Sequence, residues 1–183
     1  MRIIAGQYKG RKLESPVGND VRPTSDKVRE AIFSSLQSEV PDAICIDLFA
    51  GSGALGIEAL SRGAKRVYFG DVSKDSMALV KQNCRTVGCS NDAIFFLGDW
   101  RRVLARVAEE AAGKVGLVFV DPPYKAGIYG DVLEEIARLG LVAEDGLLVL
   151  EHDKRDALPE EKAGFRLLRE RTYGKTAVSY YGF

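Results

Sequence analysis

The chain has 183 residues, of which 46% are hydrophobic and 28% charged, so we expect one globular domain and exclude a disordered, collagen-like or coiled-coil protein. Lys and Arg total 26, as do Asp and Glu, which excludes a uniformly basic nucleic-acid binder but allows a local basic face. The three cysteines lack metal-ligand spacing, so we predict neither a disulfide framework nor a metal site. No apolar run suits a signal peptide or a membrane span, and we expect a cytoplasmic protein.

The first forty residues differ in pattern from the rest and form an N-terminal extension to a core of residues 41–183. Alternating apolar residues punctuated by Gly6 and Gly10 predict a short irregular hairpin. The stretch that follows predicts a helix with an N-cap at Thr24 or Ser25. Basic residues slightly outnumber acidic ones in this extension.

From residue 43 onward, buried strands and amphipathic helices alternate. Apolar runs predict strands at 43–49, 66–71, 93–99, 115–121 and 146–152. Helical periodicity predicts helices at 54–63, 73–88, 100–112 and 131–140. The tail predicts an antiparallel hairpin turning at Gly174-Lys175. This order is typical of a mostly parallel, doubly wound α/β sheet, whose ligands bind at the carboxyl ends of the strands.

A glycine-rich loop follows the first predicted strand. Gly51, Gly53 and Gly56 fit the pattern GxGxxG, which lets the backbone approach a ligand at the start of a helix. Asp71 ends the second strand, 20 residues after Gly51, where a carboxylate can accept hydrogen bonds from a ribose. Together they predict a site for an adenosine-containing cofactor. Two alternative interpretations remain open: a simple turn between strand and helix for the glycines, and a helix-capping role alone for Asp71.

Two further strand ends carry polar groups. Asp99 follows the third strand and could accept a hydrogen bond from an adenine amino group, with Trp100 as an apolar wall; an N-cap and a core tryptophan are the alternatives. The fourth strand ends in Asp121-Pro122-Pro123-Tyr124. Two prolines hold this corner rigid, so that the Asp121 carboxylate and the Pro122 carbonyl can orient an NH2 group while Tyr124 stacks on its ring. A nucleic-acid base whose NH2 group is held in this way must be single-stranded or flipped out.

Together, DLFAGSG, Asp71, GDW and DPPY resemble the motif series of S-adenosylmethionine-dependent methyltransferases that act on amino groups of nucleic-acid bases. With MRIIAGQYKGRKL, VRPTSDKVREAIFSSL and VFVDPPY, nearly the whole chain resembles more narrowly the bacterial methyltransferases of 16S ribosomal RNA that modify the N2 of guanine 966. The resemblance implies a Rossmann-like class I methyltransferase with a seven-stranded sheet and an N-terminal hairpin extension. It also implies S-adenosylmethionine as cofactor and 16S rRNA in the assembling 30S subunit as partner.

The resemblance assigns roles to residues of this chain. Asp121, Pro122, Pro123 and Tyr124 would hold the target base. The residues expected to hold the cofactor are Asp47, Ala50, Gly51, Ser52, Gly53, Asp71, Asp99 and Trp100. The residues expected to face RNA phosphates are Arg2, Lys9, Arg11, Lys12, Arg22 and Arg29. Relatives often carry Glu where this chain has Asp71. We expect His152 to be exposed and to have no catalytic role, and the protein to be a monomer.

Three other functions are compatible with parts of the sequence. Adenine-N6 methylation of DNA uses the same DPPY motif and cofactor. A nicotinamide-dependent oxidoreductase would use the glycine loop and Asp71, but leaves Asp47 and DPPY without a role. A non-catalytic RNA-binding assembly factor would need only the basic extension.

Overall fold

A twisted eight-stranded sheet with helices on both faces organises the described part of the protein. The computed structural model describes residues 1–16, 25–123 and 127–183. The strands in chain order are β1 (Ile44–Asp47), β2 (Arg66–Asp71), β3 (Ala93–Leu97), β4 (Val115–Val120), β5 (Val142–Asp153), β6 (Glu161–Lys162), β7 (Phe165–Tyr173) and β8 (Thr176–Gly182). The helices in chain order are α1 (Asp26–Ser35), α2 (Ala54–Ser61), α3 (Lys74–Val87), α4 (Trp100–Ala111) and α5 (Tyr129–Arg138).

The strand order creates a crevice at the carboxyl ends of the central strands. The order is β3-β2-β1-β4-β5-β8-β7-β6, and β1 to β5 are parallel. The chain therefore adds β2 and β3 on one side of β1, then crosses to add β4 on the other side. Such a switch point leaves an open crevice between the two strand ends, where doubly wound proteins bind ligands. The predicted parallel α/β architecture is confirmed.

Helices cover both faces of the sheet, which explains the nearly continuous apolar character of its central strands. On one face, α1, α2 and α3 pack with Phe69 and Phe119. On the other, α4 and α5 pack with Tyr68 and Val118, because successive strand residues point to opposite faces. None of the described helices has the length and apolar character needed to span a bilayer.

The sheet closes with antiparallel strands formed by the tail. The predicted hairpin is confirmed: β7 and β8 pair around Gly174, whose φ is 64°. β8 also pairs antiparallel with β5. A left-handed turn at Ala163 and Gly164 folds the two-residue β6 onto β7, so the described sheet has eight strands rather than the seven implied by the resemblance.

The N-terminal extension lies against α2 and α3. Its pairing is one antiparallel bridge between Arg2 and Lys12, not a regular ribbon, so the predicted short irregular hairpin is confirmed. Ile3 and Leu13 from its two arms are 1% and 4% exposed and belong to the core of the α1–α3 face. The predicted cap of α1 is Ser25, whose Oγ accepts from the backbone of Val28.

The structure corrects the expectation that Arg29 faces RNA. Arg29 lies on the inner face of α1 and is completely buried. Its guanidinium donates to Arg2 O at 2.5 Å and to Asp26 Oδ1 at 3.0 Å, and its Nε lies 3.6 Å from Glu58 Oε2. A buried cation needs paired acceptors, and those of Arg29 lie on the first residues of the extension, on α1 and on α2. Arg29 therefore helps to hold the extension against α2.

The expectation that His152 is exposed is also wrong. His152 lies within β5 and is 5% exposed, because β8 pairs alongside it. Its Nε2 is 2.8 Å from Ser179 Oγ, which donates to Glu170 Oε2 at 2.8 Å, and its Nδ1 is 2.9 Å from Asp153 O. Tyr129 packs edge-on against the imidazole. The histidine therefore belongs to a hydrogen-bonded cluster within the antiparallel part of the sheet.

Candidate active site

The loop after β1 brings the predicted glycines to the start of α2. Gly51 and Gly53 have φ values of 55° and 80°, in the left-handed region that glycine tolerates. A Cβ at Gly53 would come within 2.4 Å of Val80 Cγ2, whereas a Cβ at Gly51 would meet no described atom within 4 Å. Gly51 thus borders open space beside a helix that begins without a side-chain cap. Its backbone N–H groups favour an anionic ligand group.

Asp71 ties the end of β2 to this loop. Its Oδ2 accepts from Gly51 N at 2.9 Å and its Oδ1 from Ser73 N at 2.8 Å. Each carboxylate oxygen keeps acceptor capacity, so contact with a ribose remains compatible with these bonds. Beside it, Val72 is 74% exposed and Leu97, at the end of β3, is 47% exposed. Sequence reasoning missed this apolar surface, although an apolar residue directly after the acid was a signal for it.

Asp47 ends β1 beneath the same loop and is 2% exposed. Its Oδ2 accepts from Gly56 N at 2.9 Å. Burial raises the pKa of Asp47 to about 8, the Gly56 hydrogen bond opposes this rise, and the negative charges of Asp121 and Asp71 add to it. The carboxyl groups at the ends of β1, β2 and β4 therefore lie close enough to affect one another.

The raised pKa of Asp47 predicts a pH-dependent stability. Between about pH 4 and pH 8 the folded protein keeps a proton on Asp47 that the unfolded chain releases. Asp47 therefore lowers the free energy of unfolding as pH rises, by up to about 1.4 kcal/mol per pH unit. We expect Asp47→Asn to flatten this dependence in urea unfolding between pH 5 and pH 8. Parallel curves for the two proteins would contradict the buried, protonated carboxyl.

Asp99 and Trp100 stand at the start of α4, near the end of β3. Asp99 is exposed and caps the helix, its Oδ1 accepting from Arg101 N at 3.0 Å. Trp100 is 8% exposed and packs in the core of the α4–α5 face, with the Arg101 guanidinium 4.1 Å from its ring centroid. Asp99 is therefore an N-cap and Trp100 a core residue, which are the two alternatives that the sequence left open. The proposed cofactor contact of Asp99 would add to its capping role.

The proline corner follows β4 directly. Asp121 is half-buried, Pro122 is buried and Pro123 is exposed, while Tyr124 lies outside the described residues. Tyr129, at the start of α5, donates its hydroxyl hydrogen to Glu151 O at 2.8 Å. Burial, followed by the negative charge of Asp121, raises the pKa of Tyr129. This corner therefore lies between the end of β1 and the end of β5.

A residue that sequence reasoning missed connects this region to the extension. Asn83, on α3, is 1% exposed and donates from Nδ2 to Ser52 O in the glycine loop at 2.8 Å. Ser52 is itself buried, and Ala50 in the same loop donates its N–H to Gly70 O at 2.9 Å. A polar residue on the apolar face of a predicted helix was the available signal.

The six residues predicted to face RNA differ in their exposure to solvent. Arg2, Lys9 and Lys12 are exposed on the extension. Arg11 is also exposed, although its guanidinium donates to Val87 O and lies 5.2 Å from the Tyr8 ring centroid. Arg22 lies outside the described residues, and Arg29 is buried as described above.

The described residues contain no group of three or more His, Cys, Asp and Glu side chains able to hold a metal ion. In the same residues, Cys45, Cys84 and Cys89 are buried free thiols. The described part of the chain thus offers carboxyl and backbone groups, not a metal cluster, at the carboxyl ends of the strands.

Comparison with known proteins identifies the family. The model of a family described as "Conserved hypothetical protein 95" matches residues 1–182. The chain belongs to this family. It is 40% identical over 181 residues to "Putative rRNA methyltransferase YlbH" of Bacillus subtilis, covering 99% of this chain and 98% of the relative. It is 34% identical over 181 residues to "Ribosomal RNA small subunit methyltransferase D" of Escherichia coli K12, covering 99% and 89%.

A solved structure supports the same assignment. "Putative methyltransferase yhhF from Escherichia coli" superposes with a TM-score of 0.85 and 35% identity, covering 99% of this chain and 96% of that one. The resemblance to the small-subunit rRNA methyltransferases and the class I methyltransferase fold are therefore confirmed. The cofactor of this class is S-adenosylmethionine. The open space at Gly51, the uncapped start of α2 and the carboxylate of Asp71 fit its methionine carboxylate and its ribose.

Proposed function

We propose that this member of the Conserved hypothetical protein 95 family methylates the N2 of guanine 966 in 16S ribosomal RNA, with S-adenosylmethionine as donor. One observation carries the proposal. Asp47 ends β1, Asp121 directly follows the adjacent parallel strand β4, and the charge of Asp121 raises the pKa of Asp47. The glycine loop and the proline corner therefore open into one crevice, as a transfer between cofactor and base requires.

The residues of the crevice have distinct roles in this proposal. The backbone of the loop 50–53 and the carboxylate of Asp71 would bind the cofactor, with Asp99 near its adenine. When bound, S-adenosylmethionine supplies an electrophilic methyl group on a positively charged sulfur. Asp121 and the carbonyl of Pro122 would accept hydrogen bonds from the two N–H groups of the target amine. This directs the nitrogen lone pair away from the ring and toward the methyl carbon.

Methyl transfer in this arrangement needs no covalent enzyme intermediate. S-adenosylmethionine, held by the loop 50–53 and Asp71, would supply the methyl group to the amine nitrogen by direct displacement, with the bonding electron pair left on its sulfur. Asp121 would balance the positive charge that develops on nitrogen, and the proton released from nitrogen would pass by way of Asp121 to solvent water. Because the reacting amine must enter a crevice at the carboxyl ends of the central strands, the target base must be flipped out of its helix or stack. Tyr124 is proposed to stack on that base.

The extension is the proposed contact to RNA. Arg2, Lys9, Arg11 and Lys12 give it basic side chains, and phosphate contacts provide affinity without reading sequence. We propose 16S rRNA in the assembling 30S subunit as the partner and a cytoplasmic monomer as the working form. In this proposal the shape of the RNA determines the choice of target.

Methyl incorporation tests this function directly. Purified protein would be incubated with labelled S-adenosylmethionine and, in turn, unmethylated 30S particles, naked 16S rRNA and DNA. We expect label in ribosomal RNA, and nucleoside analysis should identify it as N2-methylguanosine at position 966. Label in DNA as N6-methyladenine would favour the DNA methyltransferase alternative. Binding of RNA without any incorporation would favour a non-catalytic assembly factor.

Charge reversal on the extension tests the proposed RNA contact. Lys9 and Lys12 are exposed and carry positive charge. We expect Lys9→Glu with Lys12→Glu to weaken RNA binding at least about tenfold and to lower the slope of log affinity against log salt by about one to two. Filter binding at several salt concentrations measures both quantities.

Lys114→Glu provides the matched control for this variant. Lys114 is also exposed but precedes β4, at the opposite end of the strands from the crevice. It should leave the slope as in the native protein. An unchanged slope in the Lys9 and Lys12 variant would assign RNA binding to another surface.

A further inference from the structure

A buried side-chain amide joins the N-terminal extension to the glycine loop. Besides its bond to Ser52 O, Asn83 donates from Nδ2 to Glu14 O at 3.0 Å and accepts at Oδ1 from Glu14 N at 2.8 Å. The amide therefore pairs with both backbone groups of Glu14, as a neighbouring strand would. One side chain thus makes three hydrogen bonds to two segments that are 38 residues apart in the chain (52 minus 14).

The other side chains that hold residues 2–11 of the extension do not contact the loop 50–53. Glu58 accepts from the backbone near residue 4, and Ser61 holds residues 5–8, both on α2. Arg11 and Tyr8 reach the carboxyl end of α3 at Val87 and Gly88. Within the described residues, only the side-chain hydrogen bonds of Asn83 involve both the extension and the loop 50–53.

This geometry links the positions of the two segments. Asn83 lies in the interior, so a shift of Glu14 or of Ser52 away from it would leave a buried donor or acceptor without its partner. The position of each segment therefore depends in part on an amide that the other segment also holds. A ligand that orders one of them reduces the cost of ordering the other.

We propose that Asn83 is a positioning residue that couples RNA binding at the extension to cofactor binding at the glycine loop. The proposal rests on the function proposed above, because it takes RNA and S-adenosylmethionine as the two ligands. By thermodynamic linkage, cofactor must strengthen RNA binding by the same factor by which RNA strengthens cofactor binding. We expect a factor of about ten in the native protein, within the usual range for coupled sites.

Substitutions at Glu14 test the link from its extension side. Glu14 is exposed, and Asn83 contacts only its backbone. Glu14→Pro removes the N–H that donates to Asn83, whereas the matched control Glu14→Ala keeps it. RNA affinity would be measured by filter binding of unmethylated 16S rRNA, with and without saturating S-adenosylhomocysteine, which binds as the cofactor does but has no methyl group to transfer.

We expect Glu14→Pro to reduce the coupling factor to about one to two while its affinity for S-adenosylhomocysteine without RNA stays native. Glu14→Ala should retain the native factor. Asn83→Ala should lose the coupling and also bind the cofactor analogue more weakly, because its bond to the loop is lost as well; Gln82→Ala, an exposed neighbour on α3, is its control. Thermal unfolding identifies any variant that has lost its fold.

The outcomes separate this proposal from the proposed function. Equal coupling factors in the native protein, Glu14→Pro and Asn83→Ala would overturn the role of Asn83, even in an enzyme that methylates 16S rRNA normally. A native factor of one would overturn the coupling itself. Failure of the native protein to bind or methylate RNA would instead overturn the proposed function.

Discussion

Asp121→Ala is expected to reduce methyl incorporation into ribosomal RNA by at least about a thousandfold while leaving affinity for S-adenosylmethionine within about threefold of native. The carboxylate is proposed to orient the target amine and to balance its developing charge, and loss of one such electrostatic contact costs about 10²–10³ in rate before the misplaced amine is counted. Asp121 follows β4, whereas the proposed cofactor loop follows β1, so cofactor binding should survive. Single-turnover incorporation and calorimetric binding measure the two quantities.

Asp121→Asn is the informative companion variant. It keeps an oxygen that can accept from the amine but removes the charge, so its rate should fall between those of the native protein and Asp121→Ala. In both variants the pKa of Asp47 should fall, because a nearby negative charge that raises it is gone. Near-native incorporation by Asp121→Ala would remove the amine-orienting role from this residue.

Glu58→Ala is expected to cost about 3–5 kcal/mol in the free energy of unfolding, as when one partner of a buried ion pair is removed. Glu58 is completely buried and accepts from Ile4 N at 2.9 Å, from Ala5 N at 3.1 Å and from Arg62 Nε at 2.8 Å. Its loss leaves Arg29 buried without a carboxylate beside its Nε. Urea unfolding at pH 7 measures the change.

Two variants control for this interpretation. Asp131→Ala breaks the exposed Arg101–Asp131 pair, which should contribute no more than about 1 kcal/mol. The double variant Arg29→Met with Glu58→Leu removes the unpaired buried charge and should recover only part of the loss, because Ile4 N and Ala5 N still lose their acceptor. A cost below about 1 kcal/mol for Glu58→Ala would show that the buried pair contributes little to stability.

The sequence predicted the parallel core well because its signals are local. Buried apolar runs, the Ser25 cap and the glycine loop each depend on neighbours in the chain, and the structure has strands, a helix start and a left-handed turn at those places. The tail hairpin was predicted for the same reason, since a turn signal at Gly174 separates two β-prone runs.

The errors concern long-range pairing. In the sequence, Arg29 looks like an ordinary surface charge on an amphipathic helix. Its burial is favourable because Glu58 on α2, 29 residues away (58 minus 29), lies beside its guanidinium in the folded protein. His152 was expected to be exposed because nothing in its own segment shows that β8 lies beside it. Asn83 was missed because its partners at Glu14 and Ser52 meet only in the folded protein.

The cluster around His152 has a practical consequence, since this is the one histidine in the sequence. A proton NMR spectrum of the untagged protein will contain a single set of imidazole ring signals, which can be assigned without mutagenesis. Their chemical shifts report the edge-on Tyr129 ring and the contact with Ser179. The native protein thus carries its own spectroscopic reporter for the join between the parallel core and the antiparallel tail.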